Sequence, residues 1–248
     1  VRKVLLLSVL ASLALCGSAI SQPAPGSFFI RGSLGYATQS LGDWNDEIDL
    51  INEGVPGSSG PKDLDNFGGV IPWGIEIGYQ LNPAFSLSVG VLQQRDLLEN
   101  SYTIPSESLT LNSELALTAV TGAISYWIPN SGGFFFGADV GVGFGTARQD
   151  FVYRRSGTTD WSGDWSGNGL VGGAFAGYQY QSASGLLWSA RTGYQLQNLG
   201  EFDGERTSSS PFGLSGSGPP LDLNGEPMET DFSGVQFLLG IGYAFGRK

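Results

Sequence analysis

The chain has no histidine, one cysteine and one methionine among 248 residues, and only 14% of its residues are charged. Without histidine, the side chain most often used as an acid, a base or a metal ligand near neutral pH is missing. Serines and carboxylates are present, but no motif joins them into a catalytic set. The expectation is therefore a protein that is not an enzyme and has no metal or cofactor. A lone cysteine excludes an intrachain disulfide. Basic residues are also scarce, with 12 Lys and Arg against 23 Asp and Glu and a formal charge of −11. That balance argues against nucleic acid as a partner. After the first twenty residues no apolar run approaches the roughly 20 residues of a spanning helix, so helical membrane spans are not expected.

What the chain has is glycine, 39 residues or about twice the usual share. Aromatic residues make up 12%. Both fit a wall that meets lipid around a cramped interior. The N-terminus reads as a secretory signal. Val1 fits an initiator at a non-AUG start, Arg2 and Lys3 give a basic start, and Val4 to Leu15 form a short apolar stretch. Gly17, Ser18, Ala19 and Ser21 offer a cleavage region. The expected division is a signal peptide over 1–21, a short linker over 22–26 and a barrel over 27–248. Leu13-Ala14-Leu15-Cys16 is similar to a lipobox, but Leu15 stands where a small residue belongs. Cys16 is therefore read as discarded with the signal. Removing Arg2 and Lys3 leaves 10 basic and 23 acidic residues, a balance of −13.

Alternation with a period of two marks strands near 27–38, 70–81, 85–94, 114–128, 134–147, 169–181, 186–197 and 234–245. In the last, Val235, Phe237, Leu239, Ile241, Tyr243 and Phe245 share one face, and Gln236, Leu238, Gly240, Gly242 and Ala244 the other. The oily face is continuous, while the opposite face is rich in glycine and charge. This arrangement suits lipid outside and a narrow polar lumen inside, the pattern of a transmembrane β-barrel. Outward faces are expected to carry Phe28, Ile30, Leu34 and Tyr36 on the first strand and Trp73, Ile75, Ile77, Tyr79 and Leu81 on the second. The fourth strand has a phase conflict. Leu115 and Leu117 share one parity, whereas Val120, Ile124, Tyr126 and Ile128 share the other, and a bulge near Ala119 would reconcile them. Pro72 is read as marking the upper rim of the second strand.

Short connections, at Asn82-Pro83-Ala84, 129–133 and 182–185, alternate with long polar segments near 39–69, 95–113, 148–168 and 198–233. That asymmetry is expected of short periplasmic turns and long extracellular loops. The fold class is then an all-β, up-and-down antiparallel barrel of eight strands. The chain resembles the small eight-stranded outer-membrane barrels of the OmpA and OmpX type. The resemblance rests on Phe29-Ile30-Arg31-Gly32-Ser33-Leu34-Gly35-Tyr36, Gly74-Ile75-Glu76-Ile77-Gly78-Tyr79, Phe136-Gly137-Ala138-Asp139-Val140-Gly141-Val142-Gly143 and the final strand. It implies insertion by the outer-membrane assembly machinery, which reads a final strand such as this one through Gly240, Tyr243 and Phe245. Leu238 and the tail Gly246-Arg247-Lys248 depart from that signal. The resemblance is to the barrel alone, so the role of a peptidoglycan-binding domain does not carry over.

Arg31, Glu76, Asp139 and Arg191 fall on inward parity at similar depth. Buried charges must pair, so a lumen charge network is expected. It is read either as a static set that fixes register, the favoured reading, or as a gate. The loops are acidic, with Asp43, Asp46, Glu47, Asp49, Glu53, Asp63 and Asp65 in the first. They are read as solvated, although they could hold Ca²⁺ or Mg²⁺ bridging lipopolysaccharide phosphates. Asp63-Leu64-Asp65-Asn66-Phe67-Gly68 begins like a calcium loop and fails at Phe67. The tandem Asp160-Trp161 and Asp164-Trp165 lies in the third long segment. It is read as a candidate site for an extracellular protein or glycan, or as turns whose rings rest on the barrel rim. The expected role is an outer-membrane scaffold displaying acidic loops on a Gram-negative-type bacterium, for surface interaction or envelope integrity, with lipid and lipopolysaccharide as neighbours. The alternatives are a narrow gated pore, and a secreted soluble barrel that encloses an apolar ligand.

Overall fold

The computed structural model describes residues 24–54, 64–155, 157–208, 215–221 and 227–246. The expected signal segment, Cys16, Asp63, Arg247 and Lys248 lie outside the described residues. Alternating apolar and small residues form eight antiparallel strands that close on themselves. In ring order these are β1 (Phe28–Thr38), β3 (Trp73–Gln80), β4 (Phe85–Ile104), β5 (Glu107–Trp127), β6 (Phe134–Arg154), β7 (Thr158–Gln181), β8 (Leu186–Leu196) and β13 (Gly234–Phe245). The closure is the pairing of β1 with β13, running from Phe28↔Phe245 to Ala37↔Gln236. A closed ring leaves no strand edge in the membrane, which is what a β-structure needs where water cannot satisfy its backbone.

The expected outward residues are on the outside. Ile30, Leu34, Ile75, Ile77, Val140, Leu239 and Ile241 are all exposed. Aromatic pairs line the end with the tight turns: Phe28–Tyr79 at 4.7 Å, Phe85–Tyr126 at 5.2 Å and Phe134–Tyr178 at 5.0 Å between ring centroids. Such rings suit the headgroup boundary. The tight turns are built for their positions. The Asn82 side chain accepts hydrogen bonds from the backbone N–H of Ala84 and Phe85, and Gly185 turns at φ +93°, which a side chain would resist.

Two expectations are corrected. The strand expected over 70–81 is interrupted. Pro72 has no N–H to give the ladder, so β3 begins at Trp73 and a two-residue piece, β2 (Gly69–Val70), pairs separately with β1. The bulge near Ala119 does not exist either. The β4–β5 register runs without a shift from Phe85↔Tyr126 to Ile104↔Glu107. Leu115 and Leu117 point inward on the same parity as Thr121, and both are fully buried.

The reason is a second storey. β4, β5, β6 and β7 run on past the oily belt, through the segments expected to be loops over 95–113 and 148–168. β10 (Asp203–Thr207) pairs with β7, and β11 (Gly216–Gly218) pairs with β10. Outside the belt water replaces lipid, so the inward face becomes the apolar one. Leu98, Leu109, Leu111, Leu115, Leu117, Ala147, Trp165 and Val171 form its wall. A helix not expected from sequence, α1 (Gly42–Gly54), fills it with Trp44, Ile48 and Ile51. Two further strands, β9 (Asn198–Glu201) and β12 (Glu229–Asp231), pair over it, and Leu199, Phe202, Met228 and Phe232 join the core.

Candidate functional site

The lumen is layered. At the turn end Phe29, Leu187 and Ala244 pack together, and beside them Trp127, Phe135 and Phe175. Trp127 donates its indole N–H to Ser86 Oγ at 3.1 Å. Next comes the charged layer. Arg31 Nη2 lies 2.6 Å from Glu76 Oε2, and Arg191 Nη1 lies 3.8 Å from the same oxygen. Arg31 also donates to Gln179 Oε1 at 3.2 Å. The guanidinium of Arg31 sits 5.8 Å from the ring centre of Phe29, and that of Arg191 sits 4.8 Å from Phe175. The aromatic floor therefore bears on both cations.

Three of the four expected lumen residues, Arg31, Glu76 and Arg191, meet directly. Asp139 lies in the same layer but is held by Gln195, whose amide donates to Oδ2 at 3.0 Å. A cavity of about 30 Å³ lies among Ser88, Thr121, Glu76, Asp139 and Arg191, enough for a water molecule or two. Above it, glutamines missed in the sequence form a relay. Gln39 donates to Gln94 at 3.1 Å, and Gln94 donates to Gln197 at 3.0 Å. Inward parity was their only signal. Gly240 sits against this layer, where a Cβ would meet Ser189 Oγ at 2.5 Å and Arg31 Cδ at 2.9 Å. Tyr243 and Phe245 are on the lipid face, paired with Ile30 and Phe28. The second storey closes the other end.

That closure depends on three asparagines. Asn52 donates to Leu64 O at 3.0 Å and accepts from Leu64 N at 2.8 Å. Asn100 does the same for Asp65 at 2.9 Å in both directions. Asn45 bonds Phe67 O at 3.1 Å and Phe67 N at 2.8 Å. Each side chain replaces a missing ladder partner, so Leu64 and Phe67 enter the core with satisfied backbone. Residues 64–68 of the segment that begins like a calcium loop thus serve as packing. Among the described residues no group of three or more Cys, Asp and Glu is placed to hold a metal.

The tandem tryptophans are not on a loop. Asp160, Trp161, Asp164 and Trp165 all lie on β7. Trp165 is buried, and Trp161 stacks on Phe151 with 5.7 Å between centroids. Four residues apart on a strand, both rings take the inward face. Asp164 points outward beside Arg148, at 3.7 Å, on a solvated face where Arg95 and Glu114 also pair at 2.8 Å. Both rings therefore face into the storey and do not stand on an open loop.

A closed eight-strand ring with an apolar exterior and a polar lumen defines a membrane-spanning β-barrel, with short turns on one side and tall hairpins on the other, as in outer-membrane barrels. No protein-family model matches the sequence, and no curated protein matches it. Among solved structures the fold is similar to Ail, the attachment invasion locus protein of Yersinia pestis, at 15% identity and a TM-score of 0.43, over 89% of this chain and 99% of that one. It is similar to the outer membrane protein OprG from Pseudomonas aeruginosa, at 13% and 0.45, over 93% and 100%. It is also similar to a major outer membrane protein from Thermus thermophilus, at 12% and 0.48, over 89% and 99%. Likeness at this level concerns architecture alone, and the class assigned here rests on the strand ring and the apolar belt of the chain itself.

Proposed function

We propose that this chain is a sealed outer-membrane anchor, which carries a folded extracellular storey and does not conduct. The observation that carries this reading is the layering of the lumen. A polar middle is closed below by Phe29, Leu187, Trp127, Phe135 and Phe175, and above by the core around Leu117, Trp44 and Phe202. An ion entering the charged layer would have to leave water and cross packed apolar side chains, at a cost of several kcal/mol or more. The charged layer supports the static reading, because Glu76 holds two guanidiniums at once. The outward direction of the oily faces disfavours a soluble barrel enclosing an apolar ligand.

The storey outside the membrane is then the working part. Its hairpins are braced by strand pairing and by α1, so it presents a fixed surface to an extracellular protein or glycan, or to neighbouring lipopolysaccharide. Export by a signal cleaved near Ala19 to Ser21 and insertion through the final strand are part of the same proposal. Planar-bilayer recording on the refolded chain tests it. A silent bilayer with heat-modifiable, folded protein is expected, and steady single-channel steps would overturn it.

A further inference from the structure

At the outer end, β10 and β11 lean over Trp165 and enclose a cavity of about 110 Å³, lined by Trp165, Arg206, Ser217, Gly218, Pro219 and Leu221 among others. Its one charged wall residue is Arg206. Arg31, Arg95, Arg148 and Arg191 each have a carboxylate within 4.0 Å. Arg206 has none among the described residues, and its Nε is buried without a hydrogen-bond partner. Glu47 of α1 acts on it electrostatically, and Glu47 also accepts a bond from Gln149 at 3.4 Å. The Arg206 guanidinium carbon lies over the Trp161 ring, 4.1 Å from its centre. Stacking fixes the fork and does not neutralise it.

The side chain is half-buried, with Nε shut away from water and no carboxylate beside it, so an anion of matching shape gains a partner there. We propose that this cavity binds a small organic carboxylate on a ring-sized body, with the carboxylate on Arg206 and the body against Trp165, Pro219 and Leu221. The guanidinium fork matches a planar carboxylate. Apolar protein cavities of about 150 Å³ accept benzene, and this one, open at one side, is of that class. Trp165, Pro219 and Leu221 give a ring an apolar wall, and Arg206 and Ser217 give its carboxylate a polar one. The same group could come as a free aromatic acid or as the uronate terminus of a glycan. The proposal deepens the display reading and rests on it only for the side of the membrane the cavity faces.

The test is saturation-transfer NMR on the full chain in lipid nanodiscs, with benzoate and glucuronate as probes and benzamide and glucose as their neutral counterparts. Saturable binding of at least one acid is expected, at least about ten-fold stronger than its neutral counterpart, and at least about ten-fold weaker in Arg206→Gln. Leu221→Trp, which fills the cavity while leaving Arg206 in place, should also abolish it. Both variants are first checked for folded mobility on unboiled gels. Benzoate alone would indicate a free aromatic acid, and glucuronate a glycan terminus. Absence of saturable acid binding in the folded parent chain would overturn the proposal. So would equal binding of the neutral compounds, or acid binding unchanged in folded Arg206→Gln. Labelling of a Ser217→Cys variant on intact cells reports separately on the display reading, because it asks only which side the cavity faces.

Discussion

Arg31 and Glu76 are direct cross-strand partners on β1 and β3, and their side chains meet at 2.6 Å inside the barrel. Register and electrostatics thus fix the same pair. A one-residue slip of β1 against β3 would turn Arg31 toward lipid and leave Glu76 with only the longer Arg191 contact.

Removing either partner should therefore be costly. Glu76→Gln leaves two buried guanidiniums without their shared carboxylate and is expected to cost about 3–5 kcal/mol. Arg31→Gln should cost more than Arg191→Gln, because the Arg191 contact is longer, at 3.8 Å. Urea unfolding in lipid vesicles, followed by tryptophan emission, measures all three variants.

The second storey should fail separately from the first. Leu115→Ala removes a fully buried side chain and is expected to destabilise by about 2–5 kcal/mol. The loss should appear as faster proteolysis of the hairpins, with folded mobility of the membrane ring retained on unboiled gels.

The asparagine clamps are tested by Asn45→Asp. The carboxylate can still accept from Phe67 N but cannot donate to Phe67 O. That leaves one carbonyl unsatisfied and places two acceptors together, for a cost of about 1–3 kcal/mol. Proteolysis near Phe67 should increase, and Asn45→Ser should fall between the two.

Asp96 gives the storey a pH dependence. Burial raises its pKa above the ordinary carboxylate value, against the lowering effect of the Gly68 and Leu97 backbone N–H groups. The folded state therefore binds more protons than the unfolded state, over the interval from the ordinary value up to the raised one. Stability from this group falls as pH rises through that interval, and is fully present only below it. Asp96→Asn should raise the urea midpoint at neutral pH and flatten the difference between neutral pH and roughly pH 4, near the ordinary aspartate value.

The membrane ring was legible in the sequence because lipid imposes one rule on every strand. Ile75, Ile77, Leu239 and Ile241 declared their face by alternation alone, and inward parity brought Arg31, Glu76 and Arg191 together. The second storey was hard to read because the same parity changes its meaning at the water boundary. Leu109, Leu111, Leu115 and Leu117 alternate as clearly as any membrane stretch, yet their oily side faces inward, so they looked like a loop followed by a register fault. In α1 the spacing of Trp44, Ile48 and Ile51 is helical, but the acidic residues among them, Asp46, Glu47 and Asp49, give the segment the composition of a solvated loop. Trp161 and Trp165 read as exposed only if β7 begins at residue 169, whereas it begins at Thr158. The asparagine clamps depend on tertiary pairing and leave no local pattern, and the glutamine relay leaves only inward parity.

The reversal of the oily face along β5 is the most direct point to measure. Single spin labels at Leu115, Leu117, Glu114, Val120 and Ile124, read for access to oxygen and to a water-soluble nickel complex, would map it. Val120 and Ile124 should meet oxygen in lipid, Glu114 should meet nickel in water, and Leu115 and Leu117 should meet neither. Oxygen access at Leu115 and Leu117 equal to that at Val120 would mean a shifted strand and a single-storey barrel.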